Sequence, residues 1–427
     1  MWSKAAAPFV LVIALVLTTG RPSAAPQVGP LDLSGSLNGA PYRIKVPAVW
    51  NGTLLVWVHG YRDKADHPGE IDDRTAELAP SAALEAPLLA QGFALAGSAF
   101  KDNGWAIEDG IKDTKNLVAF FRDTIAIPDY TILGAASFST LIAYDSMARF
   151  GGLYDGAITA CGAGAGATRT WDTSADLLIV YDTVFGALSS WGTAADVRDD
   201  LDFETEVFPK LLQEVANPAN FPKFEFLRLV LGIPGRGLTP PPPPDFFPGW
   251  VFSDMFFATE ARAELERRAR GPVVETVGHV YEVTAAESAY LVALGVPPAI
   301  IDGWLAAMNT QTGIVAPVSS RNYLERNADF DGNFRAPVLS IHTIIDPLLP
   351  VSHEAALLDT VRTNREDNLF QAYTSGTAHC EFTGPQLLTA VGAMDVWART
   401  GVRPTAASFP GALGFVSNFA PPPFPQP

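Results

Sequence analysis

The chain is poor in cysteine and in positive charge. Only two of its 427 residues are cysteines, Cys161 and Cys380. Two thiolates cannot supply the four ligands of a structural zinc site, and they allow at most one intramolecular disulfide. Lysine and arginine number 29 against 46 acidic residues, which gives a formal net charge of -17. Nucleic acids and anionic membranes require a basic surface, so this balance argues against both as partners.

A membrane-spanning run is also missing. The apolar run from Ala5 to Leu17 is shorter than the roughly 20 residues needed to cross a bilayer. Lys4 precedes this run and the small residues 23–25 follow it, which is the pattern of a cleaved signal peptide. We therefore expect residues 1–25 to be a signal peptide, although the exact cleavage site stays open. The mature protein is then expected to be secreted, to the extracellular space or the periplasm, without membrane insertion.

Short apolar strands alternate with helices over the first part of the chain. Charged residues make up 18% and hydrophobic residues 48%, so the chain has enough apolar material for a large core. The segment 53–58 (TLLVWV) is almost continuously apolar, which is typical of a strand buried on both faces of a parallel sheet. We predict strands at 42–47, 53–58, 93–99, 130–134 and 155–160, and helices at 107–122 and 138–150. This alternation predicts an α/β fold with a mostly parallel sheet.

The alternation stops at Gly162 and resumes near residue 334. Strands at 337–343 and 369–374 and helices at 352–363 and 384–400 complete the pattern. We expect residues 26–161 and 334–419 to form the core, 162–333 to be a cap inserted between strands 6 and 7, and the Pro-rich tail 420–427 to be disordered. The aromatic residues of the cap are expected either to cover an apolar substrate pocket or to form only the core of the cap itself; they include Trp171, Trp191, Phe252 and Phe256.

A serine suited to nucleophilic attack lies at the strand-to-helix junction 131–140 (TILGAASFST). A serine becomes a nucleophile on a tight bend, where a histidine takes its proton and a carboxylate holds that histidine. The usual bend, Gly-x-Ser-x-Gly, has small residues two positions before and after the serine. Ser137 has Ala135 and Ser139 at those positions, whereas Ser139 as nucleophile would have Leu141. We therefore predict Ser137 as the nucleophile; the alternative is a structural serine.

The order of the remaining residues predicts the base and the acid. His379 lies in a polar loop after the last long strand, and Asp346 follows the preceding strand. This gives the chain order serine, aspartate, histidine, and His353 is interpreted instead as a capping or surface residue. The backbone N–H groups of Phe138 and Tyr61 are the candidate oxyanion-hole donors, the second because it follows Gly60 at the end of an early strand.

Several segments resemble the α/β-hydrolase superfamily in their order and spacing. They are VWVHGY, the serine junction, IHTIIDPLLP and SGTAHCEF. The stretches QGFALAGSAFKDNGWAIEDG and GGLYDGAITACGAGAG are similar to a group of exported bacterial α/β hydrolases of largely unassigned substrate. The resemblance implies an eight-stranded sheet, a serine triad of Ser137, Asp346 and His379, and neither metal nor cofactor. The sequence departs from the family where alanine and serine replace both glycines of the bend.

The expected function is hydrolysis of a small-molecule or polymeric carboxylic ester, or of a similarly activated carbonyl substrate, through an acyl-serine intermediate. The same residues could cleave a C–C bond of the β-diketone type or a peptide, or the chain could be a non-catalytic binding protein of this fold. The sequence identifies no substrate-binding residue and no oligomeric state.

The two cysteines are expected to lie close together. Cys161 ends a strand at the sheet edge that carries the nucleophile, and Cys380 directly follows His379. If the triad is right, both sulfurs lie at that edge, and export favours their oxidation. We therefore predict a disulfide; the alternative is two buried free thiols.

Overall fold

The structure, a computed structural model, describes residues 28–186, 190–235, 249–361 and 365–425. The expected signal peptide, residues 1–25, lies outside the described residues, as does the proline tract 240–244.

One sheet forms the centre of the molecule. Its nine strands are β1 (Leu31–Leu37), β2 (Ala40–Val46), β3 (Thr53–Val58), β4 (Ala94–Ser98), β5 (Tyr130–Ala136), β6 (Gly156–Ala160), β7 (Val338–Thr343), β8 (Leu369–Thr374) and β9 (Phe415–Val416). Their order across the sheet is β1-β2-β4-β3-β5-β6-β7-β8-β9. Strands β3 to β8 are parallel to one another, β2 runs antiparallel to its two neighbours, and β9 runs antiparallel to β8.

The strand pattern confirms the predicted α/β class and the mostly parallel sheet. Every residue of β4, β6 and β7 is buried, as expected for strands covered by helices on both faces. The count of eight strands is wrong, because β9 adds a two-residue edge strand. The first strand, β1, was missed because three consecutive residues near its end are exposed and leave no clean alternation.

Thirteen α-helices are present in the described residues. They are α1 (Ala82–Ala90), α2 (Ile107–Thr124), α3 (Thr140–Arg149), α4 (Ala167–Phe185), α5 (Phe208–Val215), α6 (Phe221–Val230), α7 (Trp250–Phe256), α8 (Arg262–Ala269), α9 (Ala285–Ala293), α10 (Pro298–Asn309), α11 (Val318–Ala328), α12 (Ser352–Thr360) and α13 (Gly384–Thr400). Helix α2 buries the apolar face that its sequence predicts, with Leu117, Val118 and Phe121 inside. Helices α4 to α11 all lie between β6 and β7.

Seven of these helices, α4 to α10, build an apolar core of their own, whereas the buried Leu324 and Ala328 of α11 belong to the core over the sheet. Tyr181 of α4 packs against Trp191, and Phe226 of α6 packs against Trp304 of α10, with ring centroids 5.8 and 4.9 Å apart. This cluster is separate from the two clusters that cover the sheet faces. The connection between β6 and β7 therefore has enough buried apolar surface to hold its own shape above the sheet.

The C-terminal tail differs from the expectation of disorder. Over residues 420–425 it lies against the protein, with the Phe424 ring 4.8 Å from the ring of His353 and 5.5 Å from the guanidinium carbon of Arg169. Phe424 is half-buried, so its ring loses part of its exposed apolar surface in these contacts.

Candidate active site

The turn after β5 holds Ser137 in a left-handed conformation, with φ of +57°. Positive φ is uncommon for a residue with a side chain, and strain of this kind clusters at functional sites. Ser137 begins a short 3-10 turn, Ser137–Ser139, which continues directly into α3. The sequence thus forms a sharp strand-to-helix bend at the serine that was predicted as nucleophile.

Ala135 and Ser139 replace the two glycines of the usual bend, and their surroundings differ. Ala135 is 1% exposed and sits in the sheet between Val58 and Thr159 of the neighbouring strands. The hydroxyl of Ser139 donates to the carbonyl oxygen of Val58 at 2.8 Å and accepts from the amide of Ala136 at 3.0 Å. A glycine could make neither bond. Ser139 therefore fastens the bend to β3, where the sequence alone suggested a weakened elbow.

The three residues predicted as a triad meet at the carboxyl edge of the sheet. The Nε2 atom of His379 lies 2.8 Å from the Oγ atom of Ser137. The Nδ1 atom of His379 lies 2.8 Å from Oδ2 of Asp346. The side chain of Asp346 is fully buried, whereas that of His379 is 22% exposed. Serine, imidazole and carboxylate thus form one continuous hydrogen-bonded chain.

Backbone amides hold Asp346 in place. Its Oδ1 atom accepts hydrogen bonds from the N–H groups of Leu348 and Leu349, each at 3.0 Å. This leaves Oδ2 directed at His379. A carboxylate fixed at both oxygens can hold the imidazole in a single orientation and tautomer.

Another histidine, fully buried, lies behind the carboxylate, and no local sequence pattern indicates its position. His342 on β7 has its Nε2 atom 2.8 Å from the carbonyl oxygen of Leu349 and 3.7 Å from Oδ2 of Asp346. Its Nδ1 atom lies 3.1 Å from Glu354. Burial alone would lower the pKa of His342, but the hydrogen bond and the charge of Glu354 outweigh burial and raise it. A protonated His342 partly balances the two buried carboxylates.

The two cysteines form a disulfide, as predicted, with Cα atoms 5.3 Å apart. Cys161 directly follows β6 and Cys380 directly follows His379, so the bond joins the loop of the histidine to the sheet. Both half-cystines have positive φ, +46° and +56°. The bond therefore limits how far the His379 loop can move away from Ser137.

The two residues predicted to supply oxyanion-hole amides are Phe138, which follows Ser137, and Tyr61, which follows Gly60. Phe138 lies in the first turn after the bend, where backbone N–H groups have no partner within the helix. Gly60 faces the serine, because a Cβ atom placed on it would lie 3.9 Å from Cβ of Ser137. Within the described chain, the amide of the next residue, Tyr61, donates no hydrogen bond. The contact at Gly60 is an ordinary one, so overlap alone does not require glycine there.

An apolar cavity of about 120 Å³ opens at Ser137. Its walls come from the sheet side, from the helices between β6 and β7, and from the tail; they include Trp105, Phe138, Trp171, Phe257, Leu349 and Phe424. Four aromatic residues of segment 162–333 were expected either to cover a substrate pocket or to form the core of that segment. Of these four, Trp171 lines the cavity. Trp191, Phe252 and Phe256 pack against Tyr181, Phe208 and Tyr61 instead. The four residues therefore differ: Trp171 lines the cavity, and the other three pack against aromatic rings elsewhere.

His353 contradicts the prediction of a capping or surface role. It is 2% exposed and lines the cavity, and its Nδ1 atom accepts the N–H of Ala165 at 3.2 Å. Burial lowers the pKa of His353 well below its usual value, and the positive charge of the nearby His342 lowers it further. Position 353 opens α12 as expected, but the loop after β6 covers that end of the helix, which sequence reasoning could not foresee.

Two groups of side chains in the described residues have the spacing of metal ligands. In the first, Cys161, His379 and Cys380, the sulfurs are joined in the disulfide and are not free thiolates. In the second, His67, Glu70 and Glu260, the ligand atoms lie within 4.8 Å of one another. Burial, followed by the neighbouring Asp63 and Glu70 carboxylates, raises the pKa of Glu260 to about 8.

None of the helices in the described residues combines the length and apolar character needed to cross a membrane.

No family model matches the chain, and no curated protein matches it.

Similarity to solved structures is broad but weak. Feruloyl esterase B from Aspergillus oryzae is 15% identical, with 87% of this chain and 80% of that chain covered and a TM-score of 0.38. A Paleococcus ferrophilus monoacylglycerol lipase is 10% identical, covering 84% and 98%, with a TM-score of 0.37. A proline iminopeptidase of Mycobacterium smegmatis is 12% identical, covering 86% and 97%, with a TM-score of 0.37. At these values the similarity carries no argument of its own. The assignment of the fold rests on the order and direction of the strands.

Proposed function

We propose that this chain, which has the α/β-hydrolase fold, is a serine hydrolase that cleaves a carboxylic ester. The observation that supports this most is the chain of hydrogen bonds from the strained Ser137 through His379 to Asp346, with both distances at 2.8 Å. The order of the three residues along the sequence is that of this fold. A buried structural serine would need neither the strained bend nor a histidine held by a carboxylate.

In the proposed reaction, Ser137 attacks the ester carbonyl while Nε2 of His379 takes its proton. Asp346 holds the imidazolium through Nδ1–H, and the N–H groups of Phe138 and Tyr61 stabilise the oxyanion. The imidazolium then protonates the departing alcohol, which leaves an acyl group on Ser137. A water molecule, deprotonated by His379, attacks this acyl group and releases the acid.

We further propose that residues 162–333 act as a cap that shapes the substrate cavity. Trp171 of α4 and Phe257, which follows α7, line it from this side. The apolar lining and the volume of about 120 Å³ suit a small acyl or aromatic group, since a cavity of about 150 Å³ admits one benzene molecule. Export is part of the same proposal, because a disulfide is maintained in an oxidising compartment. N-terminal sequencing of the protein from its native host would test the cleavage expected near residue 25.

A fluorophosphonate probe tests the central claim. We expect the probe to label the protein at Ser137 and p-nitrophenyl esters of short acids to be hydrolysed. Ser137→Ala should abolish both reactions while the circular dichroism spectrum stays unchanged. Labelling without ester turnover would favour a C–C or peptide substrate, and a folded protein that neither labels nor turns over esters would favour the non-catalytic reading.

A further inference from the structure

One carboxyl group stands out in the wall of the apolar cavity. Asp254 lies on α7, is 9% exposed, and lines the cavity together with Ser137. Its surroundings are apolar and include Leu141, Trp171 and Phe257. Its Oδ1 atom is buried and has no hydrogen-bond partner among the described residues. Buried carboxyl oxygens in folded proteins nearly always have a partner, so this atom requires an explanation.

The surroundings of Asp254 favour its neutral form. Burial, and then the negative charge of Asp346, raise the pKa of Asp254 well above its usual value. No lysine, arginine or histidine of the described residues forms an ion pair with it. A protonated carboxyl group can donate one hydrogen bond and accept another, whereas a carboxylate can only accept. In its protonated form, which burial favours, Asp254 can both donate to a hydroxyl group and accept from one.

Further polar atoms of the same cavity lack partners. The Nε1 atoms of Trp105 and Trp171 are buried without a hydrogen bond, and their rings meet edge to face at 5.2 Å. The Oγ atom of Ser352 is also unpartnered, and all three residues line the cavity. The wall of the cavity near Ser137 thus contains buried polar groups beside Asp254 that lack hydrogen-bond partners among the described residues.

We propose that Asp254 is a specificity-determining residue that binds a neutral hydroxyl group of the substrate inside the cavity. The preferred substrate is then an ester whose small apolar or aromatic part carries a hydroxyl. The inference deepens the proposed function and rests on it, because it assigns the cavity at Ser137 to the substrate. Binding of a hydroxyl-bearing ligand, however, can be measured without any turnover.

Calorimetric titration with p-cresol and toluene, which differ by one hydroxyl group, tests binding directly. We expect the wild-type protein to bind p-cresol about tenfold more tightly, the effect of one buried hydrogen bond. Asp254→Leu should bring the two affinities to within about twofold of each other, whereas Asp254→Asn, which keeps a donor and an acceptor, should retain most of the difference. Equal affinities in the wild-type protein would overturn the proposal, as would an unchanged difference in Asp254→Leu.

A matched control separates this role from a general effect on stability. Asp145 on α3 is another buried aspartate with an unpartnered oxygen, and it does not line the cavity. Asp145→Asn should leave the selectivity for p-cresol unchanged. If Asp254→Leu does not fold, Asp254→Ala replaces it in the same titration, and the wild-type comparison remains decisive in any case.

Kinetics on a matched ester pair extend the test to the reaction. Methyl 3-(4-hydroxyphenyl)propanoate and methyl 3-phenylpropanoate again differ by one hydroxyl group. We expect Asp254→Leu to lower the ratio of kcat/KM for the hydroxylated ester over the plain ester by about tenfold, mainly through a higher KM for the hydroxylated ester. Equal losses on both esters would assign Asp254 a merely structural role. Selective binding of p-cresol without hydrolysis of any ester would contradict the proposed function while supporting the role of Asp254.

Discussion

The hydroxyl of Ser139 is hydrogen-bonded to the carbonyl oxygen of Val58, on the strand next to the one that ends at Ser137. This bond is buried, and it ties the bend to the middle of the sheet. Ser139→Ala should therefore lower the free energy of unfolding by about 1 to 3 kcal/mol, because buried polar groups lose their partner. Denaturant unfolding measures the loss. Ser139→Gly restores the usual sequence pattern and should be no more stable than Ser139→Ala; a gain in stability would contradict this account of the bend.

Ser137→Ala should leave a folded but inactive protein. The loss in kcat is expected to be on the order of a thousandfold or more, since triad residues act as a unit. Ser139→Ala is the matched control, because it removes a hydroxyl two residues away and should retain most of the activity. Ester hydrolysis measured for both variants decides between them. Inactivation by Ser139→Ala with an active Ser137→Ala would show that the wrong serine has been assigned.

Loss of the disulfide should affect both stability and activity. Replacing Cys161 and Cys380 together by serine removes a bond between residues 219 positions apart in the sequence. We expect the free energy of unfolding to fall by about 2 to 4 kcal/mol, the range usual for one disulfide. Because the bond also restrains His379, kcat should fall while the fluorophosphonate still reacts slowly. Full alkylation of both cysteines in the unreduced, unfolded wild-type protein would show that no disulfide forms.

Removal of the tail should broaden the range of accepted chain lengths. Phe424 and Pro425 line the cavity, so a chain that ends at residue 419 has a more open wall there. We expect the ratio of kcat/KM for octanoate over butanoate esters to rise by roughly tenfold, the effect of a small change in apolar fit. Phe419→Ala is the control, because its ring packs 5.0 Å from Tyr373 and does not line the cavity. An unchanged ratio after truncation would show that the tail does not limit the substrate.

The pH dependence of stability should reflect Glu260. Its pKa is raised from 4.5 to about 8, first by burial and then by the carboxylates of Asp63 and Glu70. The folded state therefore keeps a proton that the unfolded state releases, and the free energy of unfolding should fall as pH rises from about 4.5 to 8. Glu260→Gln carries no titrating proton, so its melting temperature should fall less over this range. Thermal melts at several pH values compare the two proteins, and parallel curves would assign the dependence to other groups.

The sequence predicted the parts of the site that local pattern and chain order encode. The junction 131–140 admits only one register with small residues on both sides of a serine, so Ser137 was recognisable without coordinates. Asp346 and His379 follow the two strands that come after the insertion, and parallel strands bring the residues after them to one edge. The same argument placed Cys161 and Cys380 together, and the structure contains their disulfide.

Only the tertiary structure decided what surrounds these residues. Asp254 meets the cavity because α7 packs against α4 and α5. No pattern near position 254 in the sequence indicates this. The ring of His342 is hydrogen-bonded to Glu354 of α12, which is 12 residues away in the chain. The ring of Phe424 packs against His353, which is 71 residues away. A periodic sequence reports which face of an element is buried, but not which element covers it. The shape and the polar contacts of the cavity depend on that second choice, which is made by packing between segments distant in the chain.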